Sequence, residues 1–163
     1  MGCLPTHSVV PPEHGGLCSI YFILVDRFYD GDPQNNADAN PSEPNAFYGG
    51  DLLGIIQKLD YIKEMGFDTI WVSPIWKMRT EPFFGHAAFH GYWVTDPSQL
   101  EPRFGTETDL TRLSQELHQR KMKLILDMVY NHVSFDAPLR TQKPEWFHPS
   151  LPIQNWQDAE EVI

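Results

Sequence analysis

The segment Lys123–His132 constrains the fold of this chain more than any other. Its sequence, Lys-Leu-Ile-Leu-Asp-Met-Val-Tyr-Asn-His, places an apolar run directly before a carboxylate, and an amide and an imidazole follow within one short turn. Buried parallel strands are continuous apolar runs, and α/β folds present polar chemistry at the carboxyl ends of such strands. The segment therefore predicts a strand that delivers Asp127 at its tip, with Asn131 and His132 in the following loop.

Two earlier segments repeat this form and extend the prediction to a sheet. The three predicted strands are Ile20–Val25, Thr69–Ser73 and Lys123–Val129. The intervals between them are long enough for helical crossovers, which join parallel strands of one sheet. Asp26, Ser73 and Asp127 would then share one rim, because the carboxyl ends of parallel strands meet there.

Two helices are predicted between these strands. The first begins at the N-cap Asp51, has apolar residues at helical spacing from Leu52 to Ile62, and ends at Gly66. The second begins at Thr106 and carries basic residues in its last turn, before the third strand. Residues 29–50 and 74–105 are predicted to be loops. The order strand, helix, strand, helix, strand indicates an α/β fold.

Bulk properties exclude several classes of function. The net charge is −10 with no basic cluster, which argues against nucleic acid or an anionic membrane as partner. No run is long enough to span a bilayer, and no signal peptide is visible in the chain as given, so its localisation stays open. Two cysteines, Cys3 and Cys18, are compatible with either a disulfide or two free thiols.

An oxygen-rich loop follows the first predicted strand. Asp30, Asp32, Asn35 and Asn36 fall within seven residues, together with a glycine and a proline that favour tight turns. Such a loop suits a hard cation, since calcium takes six to eight oxygen ligands in irregular geometry. The alternative is a loop of Asx-turns, in which these side chains bond to their own backbone.

A second constellation is aromatic. Phe89-His90-Gly91-Tyr92-Trp93 lies in the predicted loop after the second strand, within a chain of 13% aromatic residues. Aromatic faces pack on the apolar faces of sugar rings, while tyrosine and tryptophan edges still donate hydrogen bonds. The alternative is a hydrophobic loop folded over the core.

Taken together, these segments resemble the α-amylase family of glycoside hydrolases. The resemblance rests on Asp127-x-Val-x-Asn131-His132, on Gly91-Tyr92-Trp93 with the later Phe104-Gly-Thr106, and on the early loop with its Gly49-Gly50-Asp51 partner. It implies an α/β fold that is a partial (β/α)8 TIM barrel, because a complete barrel takes about 250 residues and this chain has 163. It also implies a division into a loose lead-in (1–18), the first part of the catalytic barrel (19–132), and the start of a domain inserted after strand three (133–163).

The resemblance also implies roles for individual residues. The ligands of a calcium cofactor would be Asp30, Asp32, Asn35, Asn36, the carbonyl of Gly49, and Asp51, with Asn131 holding calcium between the barrel and the inserted domain. The groups that bind an α-glucan oligosaccharide or polysaccharide would be His90, Tyr92, Trp93, Asp127 and His132. Asp51 is equally suited to be a helix N-cap, and the two roles are compatible.

The resemblance assigns no catalytic residue to this chain. Retaining glycosidases need two carboxylates, a nucleophile and an acid/base, and in this family both come from later strands. No Gly-x-Arg-x-Asp segment lies between Val133 and Ile163. We therefore expect the chain alone to be inactive, as a segment of a hydrolase or a transferase acting on starch-like glucans, with the remainder of the barrel supplied by another chain as a candidate partner. The alternative is a non-catalytic α-glucan-binding protein or partner subunit. A nucleotide-binding domain is disfavoured because no glycine-rich phosphate loop follows the first strand.

Overall fold

A computed structural model describes residues 18–36 and 38–149 of the chain. The predicted lead-in up to residue 17, Cys3, and the end of the predicted inserted domain from residue 150 onward lie outside these residues. The strands are β1 (Ile20–Ile23), β2 (Thr69–Val72), β3 (Trp76–Met78), β4 (Val94–Leu100) and β5 (Lys123–Leu126). The helices are α1 (Val25–Phe28), α2 (Leu52–Gln57), α3 (Leu59–Glu64), α4 (Glu107–Gln119) and α5 (Leu139–Gln142), with short 3-10 turns at Pro33–Asn35 and Pro144–Trp146.

The central element is a three-stranded parallel sheet in the order β1-β2-β5. Its register aligns Phe22 with Trp71 and Trp71 with Ile125, so the three strands end together. This is the predicted arrangement of three parallel strands joined by helical crossovers, and it places Asp26, Ser73 and Asp127 at one rim.

The strands are shorter than the sequence predicts. Strand β1 ends at Ile23 because the chain turns at once into α1, and the Val25 N–H donates to the Ser73 hydroxyl at 3.1 Å. Strand β5 ends at Leu126, where the Asp127 N–H makes a last bond to the Val72 carbonyl at 3.2 Å. Pro74 follows β2 closely and has no N–H to extend the ladder.

The first crossover is a broken helix rather than the single helix predicted. Asp51 caps α2 by accepting from the Gly54 N–H at 2.6 Å, as the sequence predicts. The chain then tightens at Lys58, whose N–H donates to the Ile55 carbonyl three residues back, and α3 starts anew. Each half has two fully buried apolar residues, Leu52 and Ile55 in α2 and Leu59 and Ile62 in α3, whereas Leu53 and Ile56 are partly buried.

The second crossover, α4, follows its sequence signal closely. Thr106 and Asp109 form a reciprocal capping box, in which each side chain accepts from the other residue's backbone N–H. Leu113 and Leu117 are fully buried against the sheet and α2.

The prediction of a loop over residues 74–105 is wrong, because this segment contains the antiparallel hairpin β3–β4. Its strands are irregular, with register shifts on both sides of Lys77. The buried Glu101 replaces part of the ladder, since its carboxylate accepts from the Met78 N–H at 3.1 Å. The hairpin therefore depends on a side chain distant in sequence, which local patterns do not reveal.

The sheet has one covered and one uncovered face. Helices α2, α3 and α4 bury one face around residues such as Ile23, Ile70 and Val72. On the other face Phe22, Trp71 and Ile125 remain 47%, 38% and 39% exposed. Within the described ranges, no helix is long and apolar enough to cross a membrane.

A substitution at Gly54 tests the close contact between α2 and the end of α1. A Cβ at Gly54 would lie 1.8 Å from the Tyr29 carbonyl oxygen, so alanine cannot fit without a backbone shift. We expect Gly54→Ala to lower the free energy of unfolding by about 2 kcal/mol, although alanine favours helices over glycine by about 1 kcal/mol. Urea denaturation would measure this. Gln115→Ala, at an exposed position of α4, is the control and should change little. Equal effects of the two substitutions would contradict the contact.

Candidate functional site

The rim of the sheet brings Asp127 and Tyr92 into direct contact. The Tyr92 hydroxyl donates to Asp127 Oδ2 at 2.8 Å, although 35 residues separate the two in sequence. Burial, followed by the hydrogen bond to Asp127 and the charge of that carboxylate, raises the pKa of Tyr92. The hydroxyl therefore keeps its proton and serves as a donor at neutral pH. Tyr92 remains 38% exposed, so part of its ring is open to a ligand.

Two histidines contact the backbone of Tyr92. His132 Nε2 lies 3.1 Å from the Tyr92 carbonyl oxygen, and the Tyr92 N–H donates to His90 Nδ1 at 3.0 Å. The rings of His90 and Tyr92 are stacked, with centroids 5.9 Å apart and planes inclined by 17°. Burial lowers the pKa of His90, in keeping with an imidazole that accepts at Nδ1 and carries its proton at Nε2.

Trp93 completes the group. Its ring meets His90 edge to face at 4.7 Å and Phe83 at 5.8 Å. The structure thus gathers all five predicted sugar-binding residues, His90, Tyr92, Trp93, Asp127 and His132, into one contiguous cluster. Their roles in binding sugar remain predictions.

Gly91 allows the chain to turn between His90 and Tyr92. Its φ is +85°, and a Cβ there would lie 2.2 Å from the Pro74 carbonyl oxygen. Only glycine combines this left-handed conformation with so close a backbone approach. The loop therefore sits directly over the end of β2, where the rim residues are.

Sequence reasoning missed an aromatic cavity beside this cluster. It has a volume of about 220 Å³ and is lined by Arg79, Phe83, Trp93, His132, Val133, Ser134 and Phe135. Arg79 lies over the Phe135 ring at 4.4 Å and pairs with Asp136 at 2.8 Å. The adjacent phenylalanines at 83 and 84 were the only local signal for it.

The oxygen-rich loop is organised by Asp51, which is buried. Its carboxylate accepts four N–H donors: the backbone of Gly31 at 3.1 Å, of Asp32 at 2.9 Å and of Gly54 at 2.6 Å, and the Asn35 amide at 3.0 Å. Four acceptances are about the full capacity of a carboxylate. In this geometry Asp51 holds the loop against the start of α2, and a direct bond from Asp51 to a cation would require one donor to move.

Two amide oxygens of the same loop have no hydrogen-bond partner among the described residues. These are the buried Asn35 Oδ1 and Asn36 Oδ1, while the Asn36 amide nitrogen donates to Asp30. Buried oxygens normally have partners, so two unsatisfied oxygens in one loop are compatible with the ligands of a cation. Gly49, with φ +95°, lies so close that a Cβ would be 2.6 Å from Asn36 Oδ1. The residues present therefore fit a hard cation.

The loop also shows part of the Asx-turn pattern. Asp32 accepts from the Gln34 N–H at 3.1 Å within its own turn. Within residues 18–36 and 38–149, no three histidine, cysteine, aspartate or glutamate side chains form a cluster able to hold a metal. The ligands that this loop offers are therefore amide and main-chain oxygens beside individual carboxylates.

Asn131 is exposed in the turn between Asp127 and His132. It makes no side-chain hydrogen bond with the described residues. Its expected role, at the junction with an inserted domain, remains a prediction.

Comparison with known proteins identifies the family of this chain. The family described as "Alpha amylase, catalytic domain" matches residues 22–158. The α-amylase of Saccharomycopsis fibuligera is 39% identical over 155 residues, covering 88% of this chain and 31% of that relative. The cyclomaltodextrin glucanotransferase of Klebsiella oxytoca is 35% identical, covering 88% of this chain and 26% of that relative. The crystal structure of an Anoxybacillus α-amylase superposes with a TM-score of 0.80 at 46% identity, covering 88% of this chain and 31% of that structure.

The chain thus spans about 30% of the length of the curated relatives that it matches. The parallel sheet and its two crossovers correspond to part of the TIM barrel of those amylases. The family match over most of the sequence and the structural likeness agree with the sequence motifs: this chain belongs to the α-amylase family of glycoside hydrolases.

Proposed function

We propose that this chain supplies half of the sugar-binding subsite of a retaining glycoside hydrolase or transferase that acts on α-glucosidic bonds of starch- and maltodextrin-like glucans. The observation that carries the proposal is the 2.8 Å bond from Tyr92 to Asp127. This bond joins two of the three motif segments at the rim where barrel enzymes place their active sites. The α-amylase and the glucanotransferase among the relatives support both hydrolysis and transfer.

The geometry gives each residue a distinct task toward a sugar ring. The exposed part of the Tyr92 ring packs on the apolar face of the sugar, and Asp127 fixes the ring by accepting from its hydroxyl. His90 accepts at Nδ1, so its Nε2–H is the atom that donates to a sugar hydroxyl. His132 directs Nε2 at the Tyr92 carbonyl, which leaves its Nδ1 to accept from another hydroxyl.

None of these groups is proposed as nucleophile or acid/base. Retaining hydrolysis requires two carboxylates about 5–5.5 Å apart. In the proposed roles Asp127 positions Tyr92, and no second carboxylate is proposed to act with it. We therefore propose that the chain alone does not hydrolyse glycosides, and that further strands of the barrel cover the exposed Phe22, Trp71 and Ile125.

We further propose that calcium binds the loop of Asp30, Asp32, Asn35 and Asn36, with the Gly49 carbonyl and Asp51. The orphaned amide oxygens of Asn35 and Asn36 support this proposal. Bound calcium would offset the negative charge of the loop and tie residues 30–36 to residues 49–51. Asn131 would hold a second calcium at the junction with the inserted domain.

Substitution of Tyr92 tests the sugar subsite. We expect Tyr92→Ala to weaken maltooligosaccharide binding about tenfold, because the loss of the aromatic contact with the sugar ring is worth about 1.4 kcal/mol. Isothermal titration calorimetry on the purified chain would measure the affinity. Tyr61→Ala, at an exposed tyrosine of α3, is the matched control and should leave the affinity unchanged. Unaltered binding by Tyr92→Ala would contradict the proposal.

A calcium titration tests the loop. At one hundred times Kd, a ligand specific for the folded state adds about 2.7 kcal/mol of stability. For a chain of this size we expect a rise in melting temperature on the order of 5–10 °C. Asn36→Ala should abolish most of this rise, whereas Gln34→Ala, an exposed neighbour in the same turn, should retain it. A melting temperature independent of calcium would count against the site.

Turnover by the chain itself tests the proposal that it binds sugar but does not hydrolyse glycosides. We expect the purified 163-residue chain to release no product from a chromogenic maltooligosaccharide, because its site residues include no proposed nucleophile or acid/base. Binding without turnover is also the behaviour of a non-catalytic α-glucan-binding protein. Activity appearing when the chain is refolded with the remaining two thirds of a related amylase would separate the two, since only a barrel segment should respond. Turnover by the chain alone would overturn the proposal.

A further inference from the structure

The guanidinium of Arg27 lies between two aromatic rings. Its central carbon is 3.6 Å from the centroid of the Tyr48 ring and 3.7 Å from that of Phe89. The two rings belong to different loops, one before Asp51 and one before Tyr92. The planar guanidinium therefore stacks between the two rings. It joins the loop before Asp51, the first loop, to the loop before Tyr92, the second loop.

Asp26, the residue before Arg27, holds the first loop through hydrogen bonds to its backbone. Asp26 is buried, and its carboxylate accepts from the Tyr48 N–H at 3.0 Å and the Gly49 N–H at 3.2 Å. Arg27 pairs with the same carboxylate and also donates to the Pro44 carbonyl at 3.0 Å. Its guanidinium is thus anchored on the side of the first loop before it reaches Phe89.

The second loop has only one other link to the first among the described backbone hydrogen bonds, from the Ala87 N–H to the Asn45 carbonyl at 2.8 Å. Phe89 lies in sequence between that hydrogen bond and His90, the first residue of the cluster proposed to bind sugar. Its ring meets His90 edge to face at 5.6 Å, and His90 in turn accepts from the Tyr92 N–H. A shift of Phe89 would therefore pass directly to His90 and to Tyr92.

We propose that Arg27 is a positioning residue for the sugar subsite, acting through Phe89 on His90 and Tyr92. The inference rests on the proposed function of those two residues in binding glucan. Among the described residues, Arg27 makes no hydrogen bond or ion pair with the residues of the cluster. Its task is to hold the loop so that the Tyr92 ring and the His90 Nε2–H keep their directions when a sugar arrives.

Conservative substitution separates this role from general stability. Arg27→Lys keeps the charge beside Asp26 but loses the planar surface that stacks on both rings. We expect the Kd for maltooligosaccharide to rise about fivefold or more. The matched control is Arg103→Lys, since Arg103 also pairs with a carboxylate, that of Glu101, and stacks on a ring, but this ring is that of Phe47, at 3.8 Å, and not that of Phe89. The control should lose a comparable amount of melting temperature and retain its affinity.

A second readout does not depend on sugar binding. The Tyr92 amide proton, which bonds to His90 Nδ1, should exchange with solvent at least several times faster in Arg27→Lys than in wild type, and at the wild-type rate in Arg103→Lys. Nuclear magnetic resonance would measure this exchange. Should the wild-type chain bind no maltooligosaccharide, the proposed function fails, and the exchange rate alone decides whether Arg27 positions the loop.

A second pair of variants guards against an Arg27→Lys chain that does not fold. Phe89→Leu removes one of the two rings that stack on Arg27, and Phe89→Tyr retains it. We expect faster Tyr92 amide exchange and weaker binding in the leucine variant, with recovery of both in the tyrosine variant. Wild-type exchange at Tyr92 in both Arg27→Lys and Phe89→Leu, or equal effects of Arg27→Lys and Arg103→Lys, would overturn the inference.

Discussion

The parallel register of β1, β2 and β5 is the constraint on which the rest of the structure depends. Because the three strands end together, the last ladder bonds, from Ser73 to the Ile23 carbonyl and from Asp127 to the Val72 carbonyl, lie at one rim. Every group proposed to bind sugar projects from this rim or from a loop folded over it. A slip of one residue in the pairing of β2 with β5 would move Asp127 to the opposite face and separate it from Tyr92.

Buried carboxylates hold the loops above this sheet in place. Asp26, Asp51 and Glu101 are each no more than 3% exposed, and each accepts from backbone N–H groups of a loop or strand that has no regular ladder there. Leaving such donors unpaired would cost about 1–3 kcal/mol apiece. For Asp26 the burial raises the pKa, against the lowering effect of the Tyr48 and Gly49 N–H groups and of Arg27. In this geometry the three carboxylates hold backbone segments in place, and Asp51 would have to release one donor to bind a cation directly.

The sequence was most informative where structure is decided locally. The apolar runs predicted the three strands, and Asp51 and Thr106 predicted helix starts, because an N-cap acts on donors two or three residues away. The motifs also named five residues that lie together in the structure, and their roles in binding sugar remain predictions. The hairpin β3–β4 was missed because β3 has three residues and β4 contains Pro97, and because Glu101 replaces ladder bonds. The stacking of Arg27 between Tyr48 and Phe89 was missed for a related reason, because contacts between loops produce no periodic pattern in the sequence.

In the proposed function, the strands that complete the sheet would also complete the site. In the described part of the chain, β1 and β5 are edge strands, and the apolar stripe of Phe22, Trp71 and Ile125 runs across the uncovered face between them. A parallel strand added at either edge would cover part of this stripe and, by the same register, bring its own carboxyl end to the rim beside Asp127. The hydrophobic effect that favours closing the barrel would thus also deliver to Tyr92 and His132 the carboxylates that they are proposed to work with. Stability and catalysis would then be gained together, because the same added strands would contribute to both.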